Sequence, residues 1–298
     1  MDLLQRAISS DHRLRALAAV TTDLVREACR RHEVRGAEAV VLGRALTVGC
    51  LLCTLTKSDK ERVRLEFRGD GPLGKVMIDC RSGGRVRGFI HLPEEPAPQP
   101  LPEIIGGRRR VGALVGDGTL MLTRDLGLER AYQGIVALTT GEIDEDVEHY
   151  LDTSEQMPSA LGAEVVLDAQ GGVLRSAGVL LQTFPGGTPA EVGGLRASLF
   201  SGTLADLLRQ ERSADDLVGF ALSGRDCDPM EPSPLVFRCH CDPARARAIL
   251  STLGADDLDE LADEPGETEV RCSYCGARYS LTPAELHALA AELRADRS

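Results

Sequence analysis

Four cysteines near the C-terminus have the residue type and the spacing of a metal site. They occur as Cys239-x-Cys241 and Cys272-x-x-Cys275, with residues 242–271 between the two pairs. Two close pairs of thiolates supply the four ligands that tetrahedral Zn²⁺ requires. Because four sulfur ligands leave no position for water, such a site is structural or redox-sensitive and is not hydrolytic. His240 is a rival ligand, but four sulfur atoms already complete the tetrahedron.

The charge of the chain disfavours nucleic acid as a partner. The whole sequence carries a formal net charge of −12. Residues 239–298 contain 12 Asp and Glu, 6 Arg and no Lys, which gives this segment a net charge of −6. Phosphate binding requires clustered Lys and Arg. We therefore expect no nucleic-acid partner for this protein.

The cysteine count and the N-terminus indicate a cytoplasmic protein. The 298 residues include nine cysteines, an odd number that does not suit a secreted disulfide framework. Residues 1–6 lack the apolar stretch of a signal peptide, and no run of 18 apolar residues occurs. We expect a cytoplasmic protein without a membrane partner.

Hydrophobic periodicity predicts an α+β fold. Helices are expected at residues 23–32, 37–56 and 144–151, and residues 93–102 are expected to be a Pro-rich surface loop. Strands are expected at residues 62–67, 75–80, 85–90, 119–123, 134–138, 164–167 and 173–182. A hairpin loop at residues 168–172 joins the last two strands. Sheet and helices then share one core.

A leucine-rich helical segment follows this core domain. Leu195, Leu199, Leu204, Leu207 and Leu208 recur at helical spacing within residues 188–222. Glycines inside or between these helices cost about 1 kcal/mol each relative to Ala, so the helices need a packing partner. We predict three parts: an α+β core domain (1–185), a metastable helical linker (186–234) and a zinc-binding switch domain (235–298). Residues 224–234 are expected to be a polar hinge, followed by a short strand at 235–238. The switch domain should hold helices at 242–253, 256–263 and 282–294 and a strand at 269–272.

Two other motifs could suggest chemistry that the sequence does not support. The segment from Gly69 to Lys75 has the spacing of a phosphate-binding loop, but Val76 replaces the hydroxyl residue that holds Mg²⁺. We interpret it as a glycine-rich hairpin. Cys50-x-x-Cys53 lies in an apolar helix without a neighbouring cation, which indicates core cysteines. No Gly-x-Ser-x-Gly elbow occurs, so no catalytic residue is predicted and the chain is not expected to be an enzyme.

Cys29 and Cys80 are likewise predicted to be core residues, and Cys227, in the polar hinge, is expected to be exposed.

Several short motifs carry a resemblance to a known family. They are Leu42-Gly43-Arg44-Ala45-Leu46-Thr47, Gly69-Asp70-Gly71-Pro72-Leu73-Gly74, Val86-Arg87-Gly88, Tyr132-Gln133-Gly134, Gly141-Glu142-Ile143, Ser154-Glu155-Gln156-Met157-Pro158-Ser159 and the two C-terminal cysteine pairs. In combination, and over essentially the whole length, the chain resembles the redox-regulated heat shock protein 33 family, also called the 33 kDa chaperonin.

The resemblance implies an ATP-independent holdase that is inactive while one Zn²⁺ is bound to Cys239, Cys241, Cys272 and Cys275. It implies that oxidation joins Cys239 to Cys241 and Cys272 to Cys275 and that zinc then leaves. The C-terminal module and the linker would unfold and expose a surface for unfolding client proteins, and oxidised members tend to form homodimers. Cys50, Cys53 and Cys227 are not part of this switch pattern.

Physical reasoning agrees with this implication. A module as small as residues 239–298 is marginally stable without a cross-link, and structural zinc supplies on the order of 10 kcal/mol. Disulfides that close very short loops return little of that stability. Two alternatives stay open: a zinc-ribbon regulator of nucleic acid or translation, and a thiol oxidoreductase that uses Cys272 and Cys275.

Overall fold

The computed structural model describes residues 1–53, 61–93, 97, 99–127 and 131–295. These residues divide into two compact units, Met1–Arg238 and Cys239–Ser298. The predicted helix end at residues 54–56 and part of the predicted loop at 93–102 lie outside the described residues. None of the described helices is long and apolar enough to cross a bilayer.

The first unit is built from strands and helices that alternate along the chain. Up to residue 183 they are β1 (Leu3–Ser9), β2 (Leu14–Val20), α1 (Thr22–His32), α2 (Ala37–Cys53), β3 (Arg62–Gly69), β4 (Lys75–Arg81), β5 (Arg85–Ile90), β6 (Ile104–Ile105), β7 (Arg108–Arg109), α3 (Gly112–Val115), β8 (Gly118–Asp125), β9 (Tyr132–Ala137), α4 (Ile143–Thr153), β10 (Ser159–Leu167) and β11 (Val173–Thr183).

Three helices and three short strands complete this unit: α5 (Ala190–Phe200), α6 (Thr203–Arg209), α7 (Ala214–Ala221), β12 (Cys227–Pro229), β13 (Ser233–Pro234) and β14 (Val236–Phe237).

Two large sheets organise the first unit. The first sheet has the order β10-β11-β2-β1-β12, and β13 also pairs with β1. The second has the order β14-β5-β4-β3-β8-β9, in which only the β14–β5 pair is parallel among the described strands. The predicted α+β class is therefore confirmed. Strands β1 and β2 were not located from the sequence, because alanines such as Ala16 and Ala18 have low strand propensity.

Helix α2 packs against strands of both sheets, including β10 and β11 of the first and β4 and β5 of the second. Every residue of this helix except Glu38 is buried. Arg44 is fully buried and its guanidinium donates to Glu142 at 2.9 Å and to Glu164 at 2.8 Å. A buried cation is tolerated only with such charged partners. The helix thus forms a core that the two sheets share.

The leucine-rich helices α5, α6 and α7 pack on the first sheet. Leu195, Leu199 and Leu204 belong to one buried cluster, together with Leu208, Leu217 and residues of β2 and β11 such as Ala18 and Val179. The sequence predicted that these helices need a packing partner, and this sheet is that partner. Their role as a separate metastable linker stays a prediction.

Residues 224–234 differ from the predicted hinge because β12 and β13 pair with β1. Cys227 lies opposite Ser9 and is partly buried against the apolar cluster under the helices, whereas exposure was expected. Backbone hydrogen bonds form this pairing, so a polar side-chain pattern gives no sign of it. The segment from Gly69 to Lys75 is the predicted turn between β3 and β4.

The second unit is small and mostly helical. Its elements are α8 (Pro243–Leu250), α9 (Ala255–Asp263), β15 (Thr268–Arg271), β16 (Arg278–Leu281) and α10 (Pro283–Ala295). Leu258, Leu286 and Leu289 are central to its core, to which no aromatic residue contributes among those described. Strand β16 was not predicted. A core of this size is expected to give the unit only marginal stability by itself.

Candidate metal centre

The first cysteine pair lies in the irregular segment immediately before α8. Asp242 is the residue that precedes the helix, and its Oδ1 accepts a hydrogen bond from the backbone N–H of Arg245 at 2.8 Å. Pro243 occupies the start of the helix, where its missing N–H costs nothing. This cap fixes where the chain leaves Cys241 and enters the helix.

The second pair lies in the turn between β15 and β16. The Cys272 N–H donates to the Ala277 carbonyl at 2.8 Å, and the Gly276 N–H donates to the Cys272 carbonyl at 2.8 Å. Gly276 has a φ of 70°, a left-handed conformation that favours glycine. The turn therefore presents both thiols of the Cys-x-x-Cys motif on one side.

The structure brings all four cysteines together. Their Sγ atoms lie within 4.8 Å of one another. The Sγ–Sγ distance is 3.8 Å between Cys239 and Cys272 and 3.3 Å between Cys241 and Cys275. A tetrahedral ion with Zn–S bonds of about 2.3 Å has sulfur–sulfur edges of about 3.8 Å. The donor set and its dimensions fit one metal ion held by four sulfur atoms.

Neighbouring groups modulate the thiols. Burial raises the pKa of Cys272 and of Cys275, while backbone hydrogen bonds involving Tyr274 and Ala277, respectively, oppose that shift. The Tyr279 hydroxyl hydrogen-bonds to the Cys241 sulfur, and this bond is the largest cause of the raised pKa of Tyr279. Such partners orient metal ligands.

Sequence reasoning missed Tyr279 because it missed β16. The alternating pattern of Arg278-Tyr279-Ser280-Leu281, shortly after Gly276, was the available signal.

The remaining candidates lie elsewhere. Among the described residues, the group that could hold a metal ion consists of the four cysteines and does not include His240. Cys29, Cys50, Cys53 and Cys80 are buried in the first unit, as predicted for core cysteines. Burial raises the pKa of Cys29 and of Cys53 to about 12, so both remain protonated at neutral pH.

Comparison with known proteins identifies the family of the chain. Residues 2–282 match the family model of the Hsp33 protein. The chain belongs to the Hsp33 family. A 33 kDa chaperonin of Geobacter sulfurreducens is 37% identical over 296 residues, which cover 99% of this chain and 96% of that protein. One of Symbiobacterium thermophilum is 36% identical over 289 residues, covering 96% of each chain.

A solved structure extends the likeness to the fold. The crystal structure of a 33 kDa chaperonin, an Hsp33 homologue from Thermotoga maritima, matches with a TM-score of 0.87 and 29% identity, covering 99% of both chains. The Hsp33 resemblance inferred from the motifs is therefore confirmed. Because the relatives are named chaperonins, membership favours a chaperone over the nucleic-acid regulator and the thiol oxidoreductase.

Proposed function

We propose that this chain is an ATP-independent holdase of the cytoplasm, held inactive by Zn²⁺ and switched on by oxidation. The observation that carries the proposal is the convergence of Cys239, Cys241, Cys272 and Cys275 within a small unit that has a modest core of its own. A bound Zn²⁺ would cross-link two segments of that unit and supply much of its folding free energy.

Oxidation of the four thiols removes the donor set. We propose disulfides between Cys239 and Cys241 and between Cys272 and Cys275, each formed from two thiols while one hydrogen peroxide is reduced to two water molecules. A disulfide needs a sulfur–sulfur distance of about 2.05 Å, so the thiols must leave their present positions. Two local disulfides replace one long-range cross-link, and they stabilise the unit much less.

We propose that unfolding of the second unit is followed by separation of the helices α5, α6 and α7 from the first sheet. Their leucines are buried on the first sheet, and separation would expose them together with the alanines and valines of β2 and β11. Each buried leucine contributes about 1.5–3 kcal/mol, so the newly exposed surface has a strong tendency to bind apolar segments. We propose that unfolding client proteins bind there and that the oxidised form associates into homodimers.

The proposal is tested by measuring zinc release and chaperone activity in the same sample. Peroxide with mild heating should release one zinc per chain, detected with a chromogenic chelator, and should suppress aggregation of a chemically unfolded client. Reductant plus Zn²⁺ should reverse both effects. Cys227→Ala is the matched control, since this thiol lies outside the quartet and alanine keeps an apolar side chain against the cluster beneath the helices, and it should behave as wild type. Equal suppression of aggregation by the reduced, zinc-loaded protein would contradict the proposal.

A further inference from the structure

A cleft of about 600 Å³ opens in the first unit, and none of the four cysteines lines it. Arg15 of β2, Arg124 of β8 and Phe184 line it, together with Glu155 and Met157 from the segment that follows α4. That segment contains the Ser154–Ser159 motif, which the redox switch does not use. The cleft therefore collects polar and apolar groups to which no role has been assigned.

Arg15 carries a positive charge into this cleft without an ion-pair partner among the described residues. Its Nη2 donates to the neutral Gln182 Oε1 at 2.6 Å, and it lies 3.8 Å from the Met157 sulfur. The guanidinium carbon lies 5.6 Å from the centre of the Phe184 ring. Burial, and then the neighbouring charge of Arg124, lower the pKa of Arg15. The carboxylate of Glu155 opposes this shift but does not overcome it, so the charge of Arg15 is compensated only in part.

Arg124 does not relieve this imbalance. It binds Glu155 through two hydrogen bonds to Oε1, of 3.0 Å from Nε and 2.8 Å from Nη2. Within the part of the cleft that the structure describes, Glu155 is thus the one carboxylate beside two guanidinium groups. A net positive charge remains for a ligand to neutralise.

The walls of the cleft add two further features. Phe184, Met157 and Pro158 provide apolar surface next to the guanidinium of Arg15. Gln156 has a backbone φ of 54°, in the left-handed region that residues other than glycine rarely adopt. Non-glycine residues in such conformations cluster at ligand-binding sites, where the surrounding structure enforces them.

We propose that this cleft binds a small molecule that carries a carboxylate or phosphate group on an apolar body. The anionic group pairs with Arg15, whose planar guanidinium matches either oxyanion with two parallel hydrogen bonds. The apolar body lies against Phe184 and Met157. None of the four cysteines of the proposed redox switch lines this site.

The test compares hexanoate and hexyl phosphate with the uncharged hexanamide. Binding to the reduced, full-length protein is measured by ligand-observed NMR at constant ionic strength. At least one anion should bind tenfold or more tightly than hexanamide, and Arg15→Met should lower its affinity at least tenfold. The preference between hexanoate and hexyl phosphate identifies which of the two oxyanions the site takes.

Arg209→Met is the control, because Arg209 is an exposed arginine that pairs with Asp206 on α6, and it should bind the anions as wild type does. Removal of an uncompensated cation should leave the melting temperature of the ligand-free protein unchanged or raised. Equal binding of the anions and hexanamide by the wild-type protein would overturn the proposal without any variant. Unchanged anion affinity in Arg15→Met would overturn it as well.

Discussion

Glu148 of α4 is a carboxylate held between the core and helix α5. Its Oε2 accepts a hydrogen bond from the Leu161 N–H at 2.7 Å, and its Oε1 pairs with Arg196 of α5 at 2.5 Å. Burial nevertheless dominates and raises the pKa of Glu148 to about 7. Because Arg196 and Leu199 line the same small cavity, the packing of α5 contributes to that burial. We therefore expect the packing of α5 to depend on pH through this side chain.

The direction of this dependence follows from the two protonation states. The pKa of Glu148 is about 7 when folded, against 4.5 for an ordinary glutamate, so the folded state keeps a proton that the unfolded state loses between these values. The free energy of unfolding should therefore fall as pH rises from about 4.5 to 7, by on the order of 3 kcal/mol, and stay low above pH 7.

Glu148→Gln should remove the pH dependence that Glu148 gives to the free energy of unfolding. The amide oxygen still accepts from Leu161, and Arg196 keeps Asp152 at 2.8 Å. We expect urea unfolding at pH 8 to show a variant at least as stable as wild type, with their difference shrinking toward pH 5. Glu211→Gln, at an exposed carboxylate that pairs with Arg175, is the control and should follow wild type throughout. A pH-independent difference between Glu148→Gln and wild type would show that burial of the charge has no role.

At the scale of elements, one glycine at the α5 interface and one on the exposed face of α5 set how firmly this helix is held. Gly162 of β10 faces α5 so closely that an added Cβ would lie 2.5 Å from Leu199 Cδ2. Gly193, inside α5, has nothing within 4 Å of an added Cβ. The first glycine therefore permits close packing, whereas the second only weakens the helix.

Alanine at these two positions should have opposite effects. Gly162→Ala should weaken packing of α5 by about 1–3 kcal/mol, because Leu199 must move. Gly193→Ala should stabilise the helix by about 1 kcal/mol. Amide exchange of residues 190–221 in the reduced protein should be faster in the first variant and slower in the second. Under the proposed function, the first should also need less oxidant for chaperone activity, and the reverse order would refute this view of the interface.

At the scale of the whole molecule, the division into two units predicts how metal removal acts. A high-affinity chelator under reducing conditions should abolish exchange protection in residues 239–295, because the small core there lacks a comparable source of stability. Strands β2 and β11 should keep their protection, since their core is much larger. Amide exchange followed by mass spectrometry measures both regions in one experiment. Persistent protection of the second unit without metal would contradict its dependence on the cysteine cluster.

Much of the molecule was predictable from local sequence patterns. Strands such as β3 and β5 have apolar residues at every second position because one face of each is buried, and that period appears in the sequence. The pairing of β12 and β13 with β1 was not predictable, because backbone groups more than 200 residues apart form it. Tyr279 was not predicted as part of the site for a related reason. Its role depends on contact with Cys241, which is distant in the sequence, and not on the residues next to it in the chain.

The sequence by itself determined the four-sulfur donor set, the acidic character of its surroundings and the family. These depend on residue identity and short spacing, which the chain carries without folding. Only the tertiary structure decided that α5, α6 and α7 cover the first sheet, that Glu148 is partly buried against α5, and that Arg15 enters a cleft without an ion pair of its own among the described residues. Burial and charge compensation depend on which distant segments meet, and no local pattern specifies that meeting.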